Sequence, residues 1–227
     1  MNRGKVSIDK TPLGKKAADI IRQRIIKGTY NQGARLIEEE LAGEFEISRV
    51  CIRDAFLILE SEGMVKREHN KYTKVLKLNP KDIEDLFQLR LALELLSIET
   101  CIEKKCIPAD TLQQCIKEMD KAMGENNINS FKYVENDLSF HEAIVESANN
   151  VYVTKIYKSI KYQIMTLLYF LFNRFKEEFS LRGKGQHYKI SEFMEKGDVK
   201  NAQEFLKEHI QNNLDFVIKL NKRVEAS

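Results

Sequence analysis

The chain has 227 residues, 43% hydrophobic and 31% charged, with a formal net charge of +3 at pH 7. That length suits two domains, and the composition excludes an intrinsically disordered chain. The longest apolar run, Ile164–Phe172, falls far short of the roughly 18 residues a membrane span needs, so no membrane partner is expected.

The first residues, MNRGKVSIDKTPLGKK, carry charge without an apolar core, and a secretory leader is not expected there. Cys51, Cys101, Cys106 and Cys115 show no C-x-x-C spacing, and reduced thiols in a cytoplasmic protein are favoured over a disulfide framework at this size. Charge is uneven. Residues 1–78 hold 16 Lys and Arg against 11 Asp and Glu, and the remainder holds 21 against 23. A basic front on a near-neutral remainder suits a polyanion-binding module attached to something else. Six of the ten glycines precede Pro80. The boundary is placed there, giving domains 1–78 and 79–227.

In chain order, Ala17, Ile20, Ile21, Ile25 and Ile26 predict a first helix that Gly28 ends. Leu36, Leu41 and Phe45 predict a second, with Glu38–Glu40 near its start, where the helix dipole favours acids. Ser48 is placed to cap a third helix, whose Ile52, Ala55, Phe56 and Leu59 share one face. After Gly63, MVKRE and YTKVLKL alternate as two short strands joined by a turn at His69–Lys71. Beyond Pro80 the apolar spacing is helical throughout. Six segments are predicted: Ile83–Ile102, Leu112–Met123, Phe131–Val145, Val151–Phe175, Tyr188–Met194 and Ala202–Leu220. Asn79 reads as an N-cap with Pro80 at the first helical position, and Asp110 as the cap after Pro108. The fold class is therefore mainly α: a winged helix-turn-helix with a small β-hairpin wing, then an all-α bundle.

Helices joined by a short turn and followed by a basic hairpin are the parts of a winged helix-turn-helix, whose second helix enters the major groove. Arg49 and Arg53 lie one turn apart, away from the apolar face, and a guanidinium fork matches guanine O6/N7 or phosphate. Lys66, Arg67, His69, Lys71 and Lys74 of the wing suit the DNA backbone or minor groove. Any amphipathic helix also puts charge on its solvent face, so the arginines gain meaning only with the helix before them and the wing after.

The stretch GARLIEEELAGEFEISRVCIRDAFLILESEGMV resembles the winged-helix signature of the GntR transcriptional regulators, matching LA…F.ISR…IR.A…LE.EG.V without gaps. The resemblance implies that Ser48, Arg49 and Arg53 contact double-stranded operator DNA. It also implies that the HNKYTKV turn enters the minor groove with His69 at its tip, and that the protein works in the bacterial cytoplasm, on the nucleoid.

In the second domain Asp137 and His141 are four apart, so on a helix their Cβ atoms lie roughly 5–6 Å from one another and can serve one metal ion. His187 and His209 fall on later helices that a bundle can bring alongside. Three imidazoles and a carboxylate suit Zn²⁺ foremost, with Ni²⁺, Co²⁺ or Mn²⁺ also accommodated, and leave open positions. The same spacing also describes a surface pair or a satisfied core hydrogen bond. DLFQLRLALE, NDLSFHEAIVESANN and HYKISEFMEKGDVKNAQEFLKEHI resemble the FCD-type ligand-binding domain of FadR-like regulators. That resemblance implies that Asp137, His141, His187 and His209 are a metal quartet and that Arg90 meets an effector carboxylate. It further implies a homodimer responding to a small organic acid. From the residues alone Arg90 equally suits an intrahelical pair with Glu94, and the two roles are compatible. The expected function is a ligand-responsive transcription regulator, not an enzyme. Its rivals are a regulator whose signal is the metal itself, a His/Asp metalloenzyme activating water, and a bundle with a filled core and no effector.

Overall fold

A computed structural model describes residues 12–68, 72–124, 128–175 and 185–225, with Arg174 and 220–225 described by backbone alone. Apart from the short Ile26–Gly28 segment, the chain divides into a compact unit ending at Leu76 and another beginning at Lys77.

The first unit runs α1 (Leu13–Ile26), β1 (Arg35–Leu36), α2 (Glu38–Glu44), α3 (Arg49–Ser61), β2 (Val65–Glu68) and β3 (Tyr72–Val75). Ala17, Ala18 and Ile21 of α1 and Ile52, Ala55, Phe56 and Leu59 of α3 are buried, which is the apolar spacing turned inward. Ile20, expected on that face, is 45% exposed, and the small Ala18 takes the inner position beside Ala17. Gly14 marks how closely α1 meets α3: a Cβ there would lie 2.8 Å from Asp54 Cβ and 3.1 Å from the Cys51 carbonyl. Ser48 caps α3 as expected, its hydroxyl accepting from the Cys51 N–H at 3.3 Å.

The wing differs from expectation by one strand. The sheet is three-stranded and antiparallel in the order β1-β3-β2. Leu36, assigned from sequence to the second helix, belongs to β1, pairs with Thr73 and is buried. Two residues have no periodicity of their own; β1 exists because β3 supplies its hydrogen bonds. The register sets Arg35 opposite Lys74 and Lys74 opposite Lys66.

The second unit contains, among the described residues, α4 (Pro80–Glu103), α5 (Ala109–Ala122), α6 (Ser130–Ser147), α7 (Val151–Arg174), α8 (Gln186–Glu195) and α9 (Val199–Glu225). Asn79 and Asp82 form a reciprocal capping box at 2.9 Å each way, with Pro80 next, so α4 begins as predicted. Asn129 and Asn150 cap α6 and α7 by accepting backbone N–H groups. Asp110 does not cap α5: Pro108 is the N-cap, without a side-chain bond, and Asp110 lies in the first turn. The helices pack α5 on α6, α6 on α7, α4 on α6 and α9 on both α4 and α8. Val134, Leu138, Phe140, Ile144 and Val145 of α6 are buried, each contributing about 1.5–3 kcal/mol. Among the described residues no helix is long and apolar enough to cross a membrane. Into this apolar interior the chain also puts Arg90, Glu94, Asp137, His141, His187 and His209, all nearly or fully buried. Buried charge is costly unless it is paired or holds an ion.

Candidate functional site

Asp137 and His141 come from one face of α6, His187 from the first turn of α8, and His209 from α9. One ligand atom from each lies within 4.8 Å of all the others, so the bundle brings the four predicted residues together. His187 Nε2 is 3.0 Å and His209 Nε2 3.8 Å from Asp137 Oδ1, and His141 Nε2 is 3.3 Å from His209 Nε2. Phe140 walls the cluster, its ring edge-on to His141 and His187.

The protonation pattern follows from the outer partners. Glu94 Oε2 lies 2.7 Å from His141 Nδ1. Burial alone would raise the Glu94 carboxyl, but Arg90 and His141 bring it down to about 2. An ionised carboxylate only accepts, so Nδ1 carries the proton and Nε2 of the neutral ring presents a lone pair. Gln186 Oε1 does the same for His209, 3.0 Å from its Nδ1, while Asn213 Nδ2 lies 3.3 Å from His209 Nε2. Two imidazole lone pairs therefore face each other at 3.3 Å beside a carboxylate. That arrangement is repulsive until a cation or proton lies between them. Among the described residues the buried Asp137 Oδ2 has no hydrogen-bond partner, so part of the carboxylate's ligand capacity is unspent. On these grounds the residues fit a metal ion.

Burial pushes both His141 and His209 below the usual histidine range, His209 further because two imidazoles adjoin it. Burial would raise Asp137, but His187 first, then His141 and His209, hold it well below the usual carboxylate range. All three shifts favour the deprotonated, ligand-competent forms.

Arg90 is fully buried and bonds Glu94 Oε1 through Nε at 2.8 Å. Among the described residues its Nη1 and Nη2 have no hydrogen-bond partner, and the buried Tyr157 hydroxyl lies beside Glu94. The intrahelical pair with Glu94 and a free guanidinium edge thus coexist. Sequence reading paired Glu94 with Arg90 but did not connect it to His141, 47 residues away, and it did not find Tyr157 or Gln186. Phe193, on α8, stacks with Phe205 at 5.4 Å between centroids.

In the head, Arg49 and Arg53 project from the exposed side of α3, with side chains 55% and 57% exposed. Each is held by an acid of α2: Arg49 by Glu39, and Arg53 Nε by Glu38 Oε2 at 2.7 Å. Sequence reading gave those glutamates only a dipole role. Ser48 spends its hydroxyl on the α3 cap. Lys66 and Arg67 are exposed on β2, and Lys74 Nζ lies 5.0 Å from the Tyr72 ring centroid. His69 and Lys71 lie outside the described residues.

A winged helix-turn-helix in one chain with a helical bundle holding a buried histidine–carboxylate cluster defines a DNA-binding regulator with a sensing domain. The chain belongs to the gntR family of bacterial regulatory proteins, whose model matches residues 13–75, in the FadR-like branch that carries an FCD domain, matched over residues 85–212. This is a family of transcriptional regulators, not of enzymes. The gluconate operon transcriptional repressor of Bacillus licheniformis is 30% identical over 155 residues, which are 68% of this chain and 63% of that protein. The HTH-type regulator YdhC of Bacillus subtilis is 27% identical over 141 residues, 62% of each chain. These alignments thus span less than two thirds of the relatives' own length. In fold the chain is similar to McbR/YncC of E. coli, with TM-score 0.77, 18% identity and coverage of 96% and 100%. It is also similar to a GntR regulator from Rhodococcus sp. RHA1, with TM-score 0.75, 20% identity and coverage of 92% and 99%.

Proposed function

We propose that this chain is a repressor that binds operator DNA as a homodimer and releases it when a small organic acid enters the metal-containing helical domain. Asp137, His141, His187 and His209 hold the ion, with Zn²⁺ the first choice for an N₃O donor set. Bound there, the ion would supply positive charge to attract a carboxylate oxygen. Arg90 offers the acid its unpartnered Nη nitrogens, fixed in direction by the Glu94 bond. Ser48, Arg49, Arg53, His69, Lys71 and Lys74 form the DNA-facing set, and paired heads suit two half-sites. The domain division proposed is 1–78 for reading and 79–227 for sensing.

The observation that carries this reading is the buried four-residue cluster sharing Glu94 with a guanidinium whose terminal nitrogens have no partner among the described residues. Gluconate, which appears in the name of the operon that a relative represses, is a sensible first probe because it is a small hydroxylated carboxylate. The Zn²⁺-loaded protein is titrated onto a duplex selected from a random pool, with gluconate and other small acids added. A ligand coupled to DNA release should weaken binding by about 5–150-fold, and Arg90→Met should abolish that response. If no acid changes DNA affinity, the sensing assignment fails. The reading in which the ion is itself the signal rests on the ligand set being complete without an acid. It requires DNA affinity to follow free metal reversibly.

A further inference from the structure

The α2 glutamates do more than begin a helix. Glu39 engages Arg49, and Glu38 Oε2 bonds Arg53 Nε at 2.7 Å, so each arginine of the α3 surface is paired with an acid of α2. We propose that Glu38 and Glu39 act as an acidic latch on the two arginines, lowering affinity for arbitrary DNA more than for a preferred sequence. The proposal rests on Arg49 and Arg53 being the reading residues.

The reasoning is a comparison of acceptors. A guanidinium that leaves its carboxylate for a phosphate merely exchanges one anion for another, and leaves that carboxylate beside a polyanion. Fewer counterions are released than an unpaired arginine would release, and binding through phosphates weakens. Guanine instead offers two neutral acceptors, O6 and N7. Arginine has five N–H donors, so it can retain its carboxylate and still meet a base. The Arg53 bond runs through Nε, which leaves the edge formed by its two Nη nitrogens to face a base. Glu39 holds Arg49 through Nη2, so the latch penalises phosphate capture at both arginines and spares base reading most fully at Arg53. Individually, exposed pairs of this kind contribute little to stability; their effect appears when a polyanion competes for the same cation.

The test uses the full chain in its metal-loaded form and the variants Glu38→Gln, Glu39→Gln and the double variant. Glu40→Gln is the control: it removes the same charge from the same turn, and among the described residues Glu40 makes no ion pair. The probes are a random-sequence duplex pool and the duplex that the wild-type protein selects from it, each titrated over a range of NaCl. For random duplex, the slope of log affinity against log salt should steepen by about 0.9 per latch removed, with affinity near 0.1 M salt rising roughly tenfold for each. The selected duplex should gain less, so the ratio of specific to random binding falls, while Glu40→Gln leaves the slope unchanged. Equal gains from Glu40→Gln would reduce the effect to net charge and overturn the latch. Loss of affinity for the selected duplex alone would make the glutamates base contacts and overturn it too. A wild-type protein that selects no sequence would instead overturn the reading-head assignment beneath it.

Discussion

Replacing Glu94 with glutamine exposes how the buried cluster is organised, because shape is nearly conserved while one acceptor is lost. Glu94 serves two donors at once: Arg90 Nε at 2.8 Å and His141 Nδ1 at 2.7 Å, with all three side chains fully buried. Glutamine has one oxygen and one NH₂, so only one donor can be satisfied. If the oxygen serves Arg90, the NH₂ faces Nδ1 and drives the His141 proton onto Nε2, where the ion should bind. If the oxygen serves His141, two donors meet at Arg90. In both cases the Arg90 charge loses its counter-charge. Removing one partner of a buried pair costs about 3–5 kcal/mol; with one bond kept we take the lower figure, which in a chain of this size lowers Tm by roughly 6–12 °C. Losing the outer partner of a metal-ligating histidine costs about 10–100-fold in affinity. Circular-dichroism melts of the metal-free protein and competition with a chromophoric chelator measure the two effects. Wild-type Tm and Zn²⁺ affinity in Glu94→Gln would refute the proton assignment and the metal site built on it.

Arg49→Ala should weaken binding to a selected duplex by about 1–3 kcal/mol and relax its sequence preference; equal losses on selected and random duplex would make Arg49 a phosphate contact. Gly14→Ala should destabilise the head by about 1–3 kcal/mol, because the new Cβ meets Asp54 Cβ and the Cys51 carbonyl; an unchanged urea midpoint would contradict that close approach. Metal-free stability should fall with acid. His141 and His209 have folded pKa values below the ordinary 6.5, so below about pH 6.5 the unfolded chain binds protons that the fold refuses. Each group then removes up to about 1.4 kcal/mol per pH unit until its folded pKa is reached. Urea midpoints equal at pH 5.5 and 7.5 would argue against buried neutral imidazoles.

Local chemistry made much of this molecule legible in its sequence. The Ser48 cap and the Asn79 cap followed by Pro80 are signals that act over a few residues, and both stand where the residues place them, Asp82 adding the reciprocal bond that was not expected. The six helices described in the second unit follow from long apolar periodicities, and the i, i+4 spacing put Asp137 and His141 on one face. Features that depend on partners distant in sequence escaped. β1 is two residues long and is defined by β3. The Glu94–His141 bond joins different helices, and nothing around Glu94 announces it. The arginine–glutamate pairs needed the α2–α3 crossing, which periodicity does not supply. Asp110 failed as a cap because Pro108 already held that position.

The distribution of the buried cluster along the chain has a consequence during synthesis. The head's last strand ends at Val75, whereas the final ligand of the cluster is His209. At about 5–20 residues per second, the ribosome needs roughly 7–27 seconds to cover the intervening stretch. During that interval every residue of the winged helix has been made while the cluster of the second unit lacks one of its four members. The cluster can therefore close only once α9 has been made, well after the residues of the winged helix.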